Sequence, residues 1–461
     1  MIELLRRADP ARPAIVTDEY TATYGELLAR AEAIAAGLTE RRIARFAVLD
    51  HDAATVVALL AGASLAGAEA CQYAPTGDPA AVAALAERFD HTVLVSTDIV
   101  STDIVTTDGR TAAEIGGSLE VITPAALAGI GAPPAEPPGE RPLLILTTGT
   151  TGTPRGVRHD WHRVLSAASR IKPAVEERWL LAYGLHQFAG LQILMHVLAA
   201  GATLVAPAPR RPREGLAAMR THRVDHASAT PTYWRFLLAE LRADGGPVPA
   251  LEQITLGGEA VPAPLLDELA ATFGSANISQ VYAASEFGSS GSVRDGRNGL
   301  SLDVLERGDD ADVAMKVVDG EMWVRSRIGM LGYYGEQPVD ADGWRPTGDL
   351  VEITADRILF RGRTSEVINV GGVKVHPLPI EERVAAVPGV DVARVFGRPN
   401  AMTGAIVAVE VVAAPGADTD AVGAAIREAC ADLAPPARPR SIRFVDDIAM
   451  AGSKIVRRDT A

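Results

Sequence analysis

Residues 141–158 read RPLLILTTGTTGTPRGVR, and they decide how the rest of the chain is read. Leu143, Leu144, Ile145 and Leu146 form an apolar run with the length of a buried strand. Thr147, Thr148, Gly149, Thr150, Thr151, Gly152 and Thr153 follow at once, and Pro154, Arg155 and Gly156 close the stretch. Glycine lets a backbone fold close around a bound group. Successive N–H groups in such a turn make an anion-binding concavity. The threonines add hydroxyl donors, and Arg155 adds a permanent charge suited to phosphate oxygens. The stretch is therefore expected to grip phosphate. The P-loop of nucleotide hydrolases needs G-x-x-x-x-G-K-[ST]. It is excluded, because no Lys-Ser or Lys-Thr follows Gly152 or Gly156.

A chain of 461 residues is too long for one ordinary core, so two or more domains are expected. With 48% hydrophobic and 22% charged residues it has an ordinary globular profile. The formal net charge of −14, from 44 Lys and Arg against 58 Asp and Glu, argues against a nucleic-acid partner. Cys71 and Cys430 stand far apart and make no metal motif. Free thiols in a cytoplasmic protein are expected. The opening residues MIELLRRADPARPAIV lack the apolar core of a signal peptide. The longest apolar region, 56–68, is interrupted by Gly62, Ser64 and Gly67. It is too short for a membrane span and reads as a buried helix.

Around the opening stretch, strand and helix patterns alternate. Residues 13–19 read as a short strand or hairpin, 22–38 as an amphipathic helix, 43–49 as a strand and 52–68 as a helix, and the alternation runs to about residue 125. STDIV occurs at 96–100 and again at 101–105, a repeat too short to be structural. Residues 130–142 are rich in Pro and Gly and read as a surface crossing. After the phosphate stretch, a helix is expected from about 161 to 168. A strand, a loop at 184–190, a buried helix and a strand then fill 180–207. Pro231 opens a helix at its permitted first-turn position, and strand 251–256 ends at Gly257–Gly258. From about 291 to 361 the helical periodicity disappears, and short segments between Gly and Asp turns predict a small antiparallel or barrel-like part. Beyond 366 a strand pair, a helix and further strands make a compact α+β domain.

The stretch 147–156 resembles the phosphate loop of the AMP-forming adenylating superfamily, the acyl-CoA synthetases and their relatives, whose pattern is roughly [ST]-[ST]-G-[ST]-T-G-x-P-K-G. The resemblance is carried by residues 140–461, with a weak match over 1–140. It implies an α/β fold with a large N-terminal domain of α/β subdomains plus the barrel-like part, then a small mobile α+β C-terminal domain. The expected boundaries are 1–364 for the large domain, with α/β regions 1–140 and 141–290 and a β-rich region 291–361. The lid is 365–461, hinged near Ser365. Arg155 stands where the family usually has Lys. In VYAASEFG, 281–288, the family pattern Y-G-x-[ST]-E gives Tyr282 to adenine stacking and Ser285 to a phosphate or carboxylate contact. Ala283 replaces the family's glycine. Glu286 is the expected Mg²⁺ ligand, since a carboxylate beside a triphosphate needs a cation. In TGDL, 347–350, the resemblance gives Asp349 to the two ribose hydroxyls, which suits a two-oxygen acceptor. It gives Arg363 to the ribose and phosphate region, and Gly258 and Glu259 to the lining of the acyl and adenine sites. Gly371 and Gly372, with Lys374 at the edge, are assigned to the approach of a thiol arm. Lys454, in AGSKIVRR, takes the place of the family's catalytic lysine, with Ser453 where Gly is usual. His186, in GLHQFAG, falls in the loop beside the acyl pocket, where it can orient the carboxylate or gate the pocket.

The resemblance implies a two-step ligase. A carboxylate attacks the α-phosphorus of ATP while Mg²⁺, the loop, Arg155 and Lys454 stabilise developing charge. Pyrophosphate leaves, and an acyl-adenylate then gives its acyl group to coenzyme A. The resemblance to peptide-synthetase adenylation domains would place an Asp within 183–192 to hold a substrate amine, and its absence there favours an organic acid over an α-amino acid. His186, Phe188 and Tyr282 suggest a compact hydrophobic, cyclic or aryl acid. Loading of an acyl carrier protein, activation of another oxyacid such as nitrite, and a non-catalytic nucleotide-binding role are the rivals. The protein is expected to be a monomer or homodimer.

Overall fold

The computed structural model describes residues 1–75, 78–97, 119–147, 154–207, 210–308, 310–451 and 454–457. The second STDIV copy lies outside them. The chain forms two compact units that interleave in sequence. One comprises Met1–Ser228, Ala284–Gly288 and Ser326–Gly343; the other comprises Ala229–Ala283, Ser289–Arg325 and Trp344–Ala461.

The first unit contains, among the described residues, a seven-stranded sheet in the order Gly332–Tyr333, Arg155–Asp160, Pro142–Thr147, Glu69–Gln72, Arg45–Val48, Val93–Val95 and Glu120–Ile122. The last five run parallel. Such strands are covered on both faces, which explains why they read as unbroken apolar runs. Helix Ala53–Ala66 is buried nearly all round, is capped by Asp52 accepting from the Thr55 N–H, and ends at Gly67 with φ 72°. Helix Tyr24–Glu40 starts with a reciprocal capping box between Thr23 and Glu26. Tyr24, Phe46, Leu59, Trp161, Leu194 and Leu198 belong to one core cluster. A second run of parallel strands in this unit joins His226–Ala229, Arg178–Leu181, Thr203–Val205 and Pro13–Val16, with Thr21–Thr23 antiparallel at the edge.

One difference from the sequence reading bears on the site. Residues 155–160, for which the sequence reading named no element between the phosphate stretch and the helix from about 161, are a strand antiparallel to Pro142–Thr147. RGVRHD alternates its inward residues, with Val157 and His159 buried beside half-buried Arg158. That alternation is a strand period too short to register beside the stronger loop signal.

The second unit carries the parallel pair Gln253–Gly257 and Asn277–Ala284. It also carries a five-stranded sheet ordered Leu300–Ser301, Arg357–Arg363, Arg345–Ile353, Glu321–Ser326 and Val313–Val318. Its final part is an α+β layer. Strands Val373–Val375, Ile368–Val370, Gly404–Ala413 and Val390–Asn400 lie in that order. Helices Pro377–Ala385 and Thr419–Ala429 supply Ile380, Val384 and Ile426 to a core with Val395, Val407 and Val409. Met450–Ala451 and Lys454–Ile455 form a small antiparallel pair. Among the described residues no helix is long and apolar enough to cross a membrane.

Candidate active site

In the first unit the two ends of the expected phosphate loop are clamped together. Thr147 lies opposite Arg155 in register, and its hydroxyl donates to the Arg155 carbonyl at 3.4 Å. Thr148, Gly149, Thr150, Thr151 and Gly152 lie outside the described residues. Gly156 must be glycine: a Cβ there would fall 2.8 Å from Phe89 Cε1 and 3.1 Å from both Leu144 and Tyr334. Arg155 is held by two groups. Its Nη2 donates to Glu336 Oε1 at 2.6 Å, and its guanidinium lies 3.4 Å from the centre of the Tyr333 ring. Tyr333 in turn donates its hydroxyl to Glu286 Oε1 at 3.1 Å. Burial first, and then Glu286, push the Tyr333 phenol up to about 12, so it remains a donor throughout the working range. Strand Gly332–Tyr333 pairs with Arg158 and Val157, which delivers this tyrosine to the loop's exit. The sequence reading passed over Tyr333. The available signal was GYYG, an aromatic pair between glycines.

Glu286 thus keeps one carboxylate oxygen for Tyr333 and has a second oxygen with no hydrogen bond among the described residues. No group of three or more His, Cys, Asp or Glu side chains fit to hold a metal occurs among the described residues. A single carboxylate fits Mg²⁺, which keeps several waters and takes other oxygens from phosphates.

His186 follows strand Arg178–Leu181 and precedes helix Phe188–Ala200. Its ring packs over Gly184, where a Cβ would come 2.2 Å from Cε1. Burial, reinforced by Arg210, pushes its pKa down to about 4, so it is neutral near pH 7. Its Nδ1 is buried without a hydrogen-bond partner among the described residues. His159, not singled out from sequence, lies on strand Arg155–Asp160 and is 1% exposed. It stacks on Phe188 with ring centres 5.2 Å apart and planes at 19°. Its ring is hydrogen-bonded to the Ser285 backbone, and burial holds its pKa down to about 4.

In the second unit, Asp349 gathers the residues expected around the nucleoside. Tyr282 donates its hydroxyl to Oδ2 at 2.7 Å, and Arg363 Nε donates to Oδ1 at 2.9 Å. The cause is sheet register: Asp349 and Arg363 face each other across antiparallel strands. The Tyr282 ring also lies 4.9 Å from Phe360. Burial and then Asp349 raise the Tyr282 pKa. Asp349 raises that of Arg363. The TGDL glycine, Gly348, has φ 78° and donates its N–H to Glu321 at 2.8 Å, which re-aims the strand at Asp349.

Glu259 follows Gly258, whose φ is 85°. Its Oε2 accepts from the Thr232 N–H at 3.1 Å and the Thr232 hydroxyl at 2.7 Å, at the first turn of helix Pro231–Asp244. Its Oε1 accepts from the Ile455 N–H at 3.2 Å. That contact sits one residue after Lys454, whose backbone pairs with Ala451. Ile455 is buried and clusters with Val392 and Ile448, with Phe236 packed against them. Arg457 donates twice to Glu381, at 2.6 and 2.9 Å, and lies 4.0 Å from Glu366. Burial alone would lower its pKa, but Glu381 more than reverses this. Ser365 sits in the single turn Thr364–Glu366, beside this ion cluster. Gly371 and Gly372, with φ 59° and 89°, form the two-residue turn between strands Ile368–Val370 and Val373–Val375. They and Lys374 are exposed.

Comparison with known proteins identifies the family. The model of the AMP-binding enzyme family matches residues 5–334, and that of the AMP-binding enzyme C-terminal domain matches 379–454. The chain belongs to the AMP-binding enzyme family. The match begins at residue 5, so it includes the region whose motifs were too weak to carry the resemblance. Among relatives, a 3-[(3aS,4S,7aS)-7a-methyl-1,5-dioxo-octahydro-1H-inden-4-yl]propanoyl:CoA ligase of Mycobacterium tuberculosis is 28% identical over 318 residues. That alignment covers 66% of this chain and 62% of the ligase, so the chain spans about three fifths of that relative's length. A fatty acid–[acyl-carrier-protein] ligase, MmaC, of Mycobacterium marinum is 29% identical over 379 residues, covering 71% of this chain and 70% of MmaC. The fold resembles the anthranilate CoA ligase AuaEII in complex with anthranoyl-AMP. The TM-score is 0.83 at 20% identity, covering 98% of this chain and 95% of that one.

Proposed function

We propose that this chain activates a carboxylic acid with ATP, forming an acyl-adenylate and releasing pyrophosphate, and then transfers the acyl group to coenzyme A. The observation that carries the reading is Asp349, whose two oxygens are aligned by Tyr282 and Arg363. A carboxylate held in this way still has lone pairs for two vicinal hydroxyls, the feature that ATP and AMP share. The Tyr282 ring offers a face for adenine. Arg155 and the loop it closes are assigned to the departing pyrophosphate. Glu286 would hold Mg²⁺, whose chemistry there is to neutralise phosphate charge.

The acid's carboxylate oxygen forms the new bond to the α-phosphorus as the bond to the bridging oxygen breaks. Lys454 is assigned to that developing charge. Support comes from the backbone that follows it: Ile455 on Glu259 and Arg457 on Glu381 fix the register of the segment on both its buried sides. The exposed turn Gly371–Gly372 with Lys374 suits the approach of a thiol arm. A compact ring acid is the substrate class, on the strength of the flat stack of His159 on Phe188 and the tight loop at His186. Loading of a carrier-protein arm is the second reading, favoured by the likeness to MmaC.

Purified protein with ATP, Mg²⁺ and a panel of ring and aliphatic acids should release pyrophosphate with a subset of them. Adding coenzyme A should then yield a thioester. No pyrophosphate with any acid would end the reading; pyrophosphate followed by transfer only to a carrier domain would select the second one.

A further inference from the structure

A cleft of about 90 Å³ in the second unit is lined by no residue assigned above to nucleotide, acid or thiol. Helix Pro231–Asp244 supplies Arg235 and Arg242, about two turns apart and so on one face. Helix Ala263–Thr272 supplies Leu265 and Glu268. Glu382, on helix Pro377–Ala385, and Asp391, at the start of strand Val390–Asn400, come from a distant part of the chain. Arg242 is fully engaged: it bonds Glu268, and its Nη2 lies 3.4 Å from Asp391 Oδ1. Arg235 and Glu382 are not. Both are half-buried, and among the described residues neither guanidinium nor carboxylate makes a hydrogen bond or an ion pair. Each lies in the other's field, because Arg235 opposes the rise in pKa that burial imposes on Glu382.

A half-buried charge without a partner destabilises a fold. Here two of opposite sign line one cleft, too far apart to pair with each other. The arrangement is explained if a ligand's own charges complete it. Arg235 presents a donor fork suited to a carboxylate. Glu382 accepts from an ammonium. A simple anion would meet Glu382, and a simple cation would meet Arg235; a molecule carrying both signs meets neither conflict. The volume limits it to a short carbon frame, and Leu265 offers that frame an apolar wall. The place of the cleft in the chain gives the consequence of filling it. Arg235 precedes Phe236, Glu382 follows Glu381, and Asp391 precedes Val392. Those three neighbours seat the Lys454 segment: Phe236 and Val392 cluster with Ile455, and Glu381 holds Arg457. A ligand joining Arg235 to Glu382 ties together the two helices that carry Phe236 and Glu381.

We propose that this cleft is a regulatory site for a small zwitterion, an amino acid whose carboxylate is taken by Arg235 and whose ammonium is taken by Glu382, and that its binding firms the docking of residues 454–457. The site itself is independent of the acid-activation reading above; its effect on catalysis, through Lys454, rests on that reading.

Calorimetry on the full chain should be run with the common α-amino acids, β-alanine and γ-aminobutyrate, against butyrate and butylamine as singly charged controls. At least one zwitterion should bind with Kd below about 1 mM, and both controls at least about tenfold more weakly. Arg235→Gln and Glu382→Gln should each weaken that binding about tenfold or more, since each removes a charge-assisted bond. Should one variant not fold, the other carries the test. With the zwitterion bound, hydrogen exchange at the Ile455 and Val456 amides should slow about tenfold in the wild type and stay unchanged in the variants. No binding by any zwitterion overturns the proposal, as does equal binding by a control, or binding that both variants leave intact. Binding with unchanged exchange overturns the regulatory role. These readouts need neither ATP nor acid, so a chain that binds the zwitterion and releases no pyrophosphate with any acid refutes acid activation alone.

Discussion

Arg457→Met tests how the segment bearing Lys454 is held. Wild-type Arg457 donates to both oxygens of Glu381, a residue only 3% exposed, and approaches Glu366. The methionine keeps much of the stem's packing but leaves buried Glu381 and half-buried Glu366 without this cation. Breaking a buried pair typically costs about 3–5 kcal/mol. A ceiling comes from protonation: neutralising a carboxylate of ordinary pKa near 4.3 at pH 7 costs about 3.7 kcal/mol. Glu381 also keeps the Val395 N–H at 3.1 Å, and Glu366 keeps the Arg363 charge nearby. The loss should therefore be about 3 kcal/mol. What still holds the segment is the Ile455 N–H on Glu259 and the buried Ile455 side chain. A hydrogen bond to a charged group contributes about 1.5–3 kcal/mol. Burying the isoleucine contributes a further 1.5–3 kcal/mol or so. The perturbation is thus comparable to the remaining attachment, and the docked fraction should fall steeply. Acyl-adenylate formation, followed by pyrophosphate release, should slow about 100-fold, since each 1.36 kcal/mol is tenfold. Thioester formation from supplied acyl-adenylate, and AMP affinity, should change less than threefold or so. Replacing Glu381 as well, in Arg457→Met/Glu381→Met, should recover part of the rate by removing one stranded charge. Equal slowing of both half-reactions, or no slowing of either, would refute the reasoning.

Three further outcomes follow from other parts of the structure. His91, His159 and His186 are each held at about 4, against an ordinary 6.5, by burial first of all. Between those values the unfolded chain binds protons that the folded chain does not, so stability is full above pH 6.5 and falls as pH drops toward 4. At pH 5 each histidine should cost about 2 kcal/mol relative to pH 7.5. Urea unfolding at the two values should show a lower midpoint at pH 5, and an unchanged midpoint would mean that these rings do not stay neutral. Asp349→Asn removes the charge that Arg363 answers while keeping the shape, and should weaken AMP binding about 100-fold by calorimetry with little change in Tm. Gly156→Ala places a methyl 2.8 Å from the Phe89 ring. It should destabilise the first unit by about 1–3 kcal/mol, as core overpacking does, and unchanged thermal unfolding would show that the strand can shift.

What the sequence revealed, and what it hid, follows from the range of each interaction. The parallel strands announced themselves because Leu143–Leu146 and their neighbours are buried on both faces, so composition alone marks them. Asp349, Arg363 and Glu286 were singled out because short motifs fix their local turns, and motifs survive in a linear reading. Tyr333, Thr232 and Arg457 were missed because their meaning is tertiary. Tyr333 matters only once strand Gly332–Tyr333 lies on 155–160, and nothing near residue 333 names residue 155. Arg457 reads as one more basic residue near Lys454 until helix Pro377–Ala385 supplies Glu381. His159 was hidden for the opposite reason. Its neighbours Val157 and Trp161 are core residues, and a histidine among them reads as a packed ring. Its stack on Phe188 and its hydrogen bond to the Ser285 backbone join segments that are far apart in sequence. Glu259 combines both cases. Its place after Gly257–Gly258 suggested a wall of the nucleotide or acyl site, yet both its oxygens are occupied, by Thr232 and by Ile455. A carboxylate so occupied is suited to hold the neighbour of Lys454 in place, so its effect on ATP chemistry would pass through that lysine. Glu259→Gln, with one carbonyl acceptor left for three N–H and O–H donors, should therefore slow adenylation more than it weakens AMP binding.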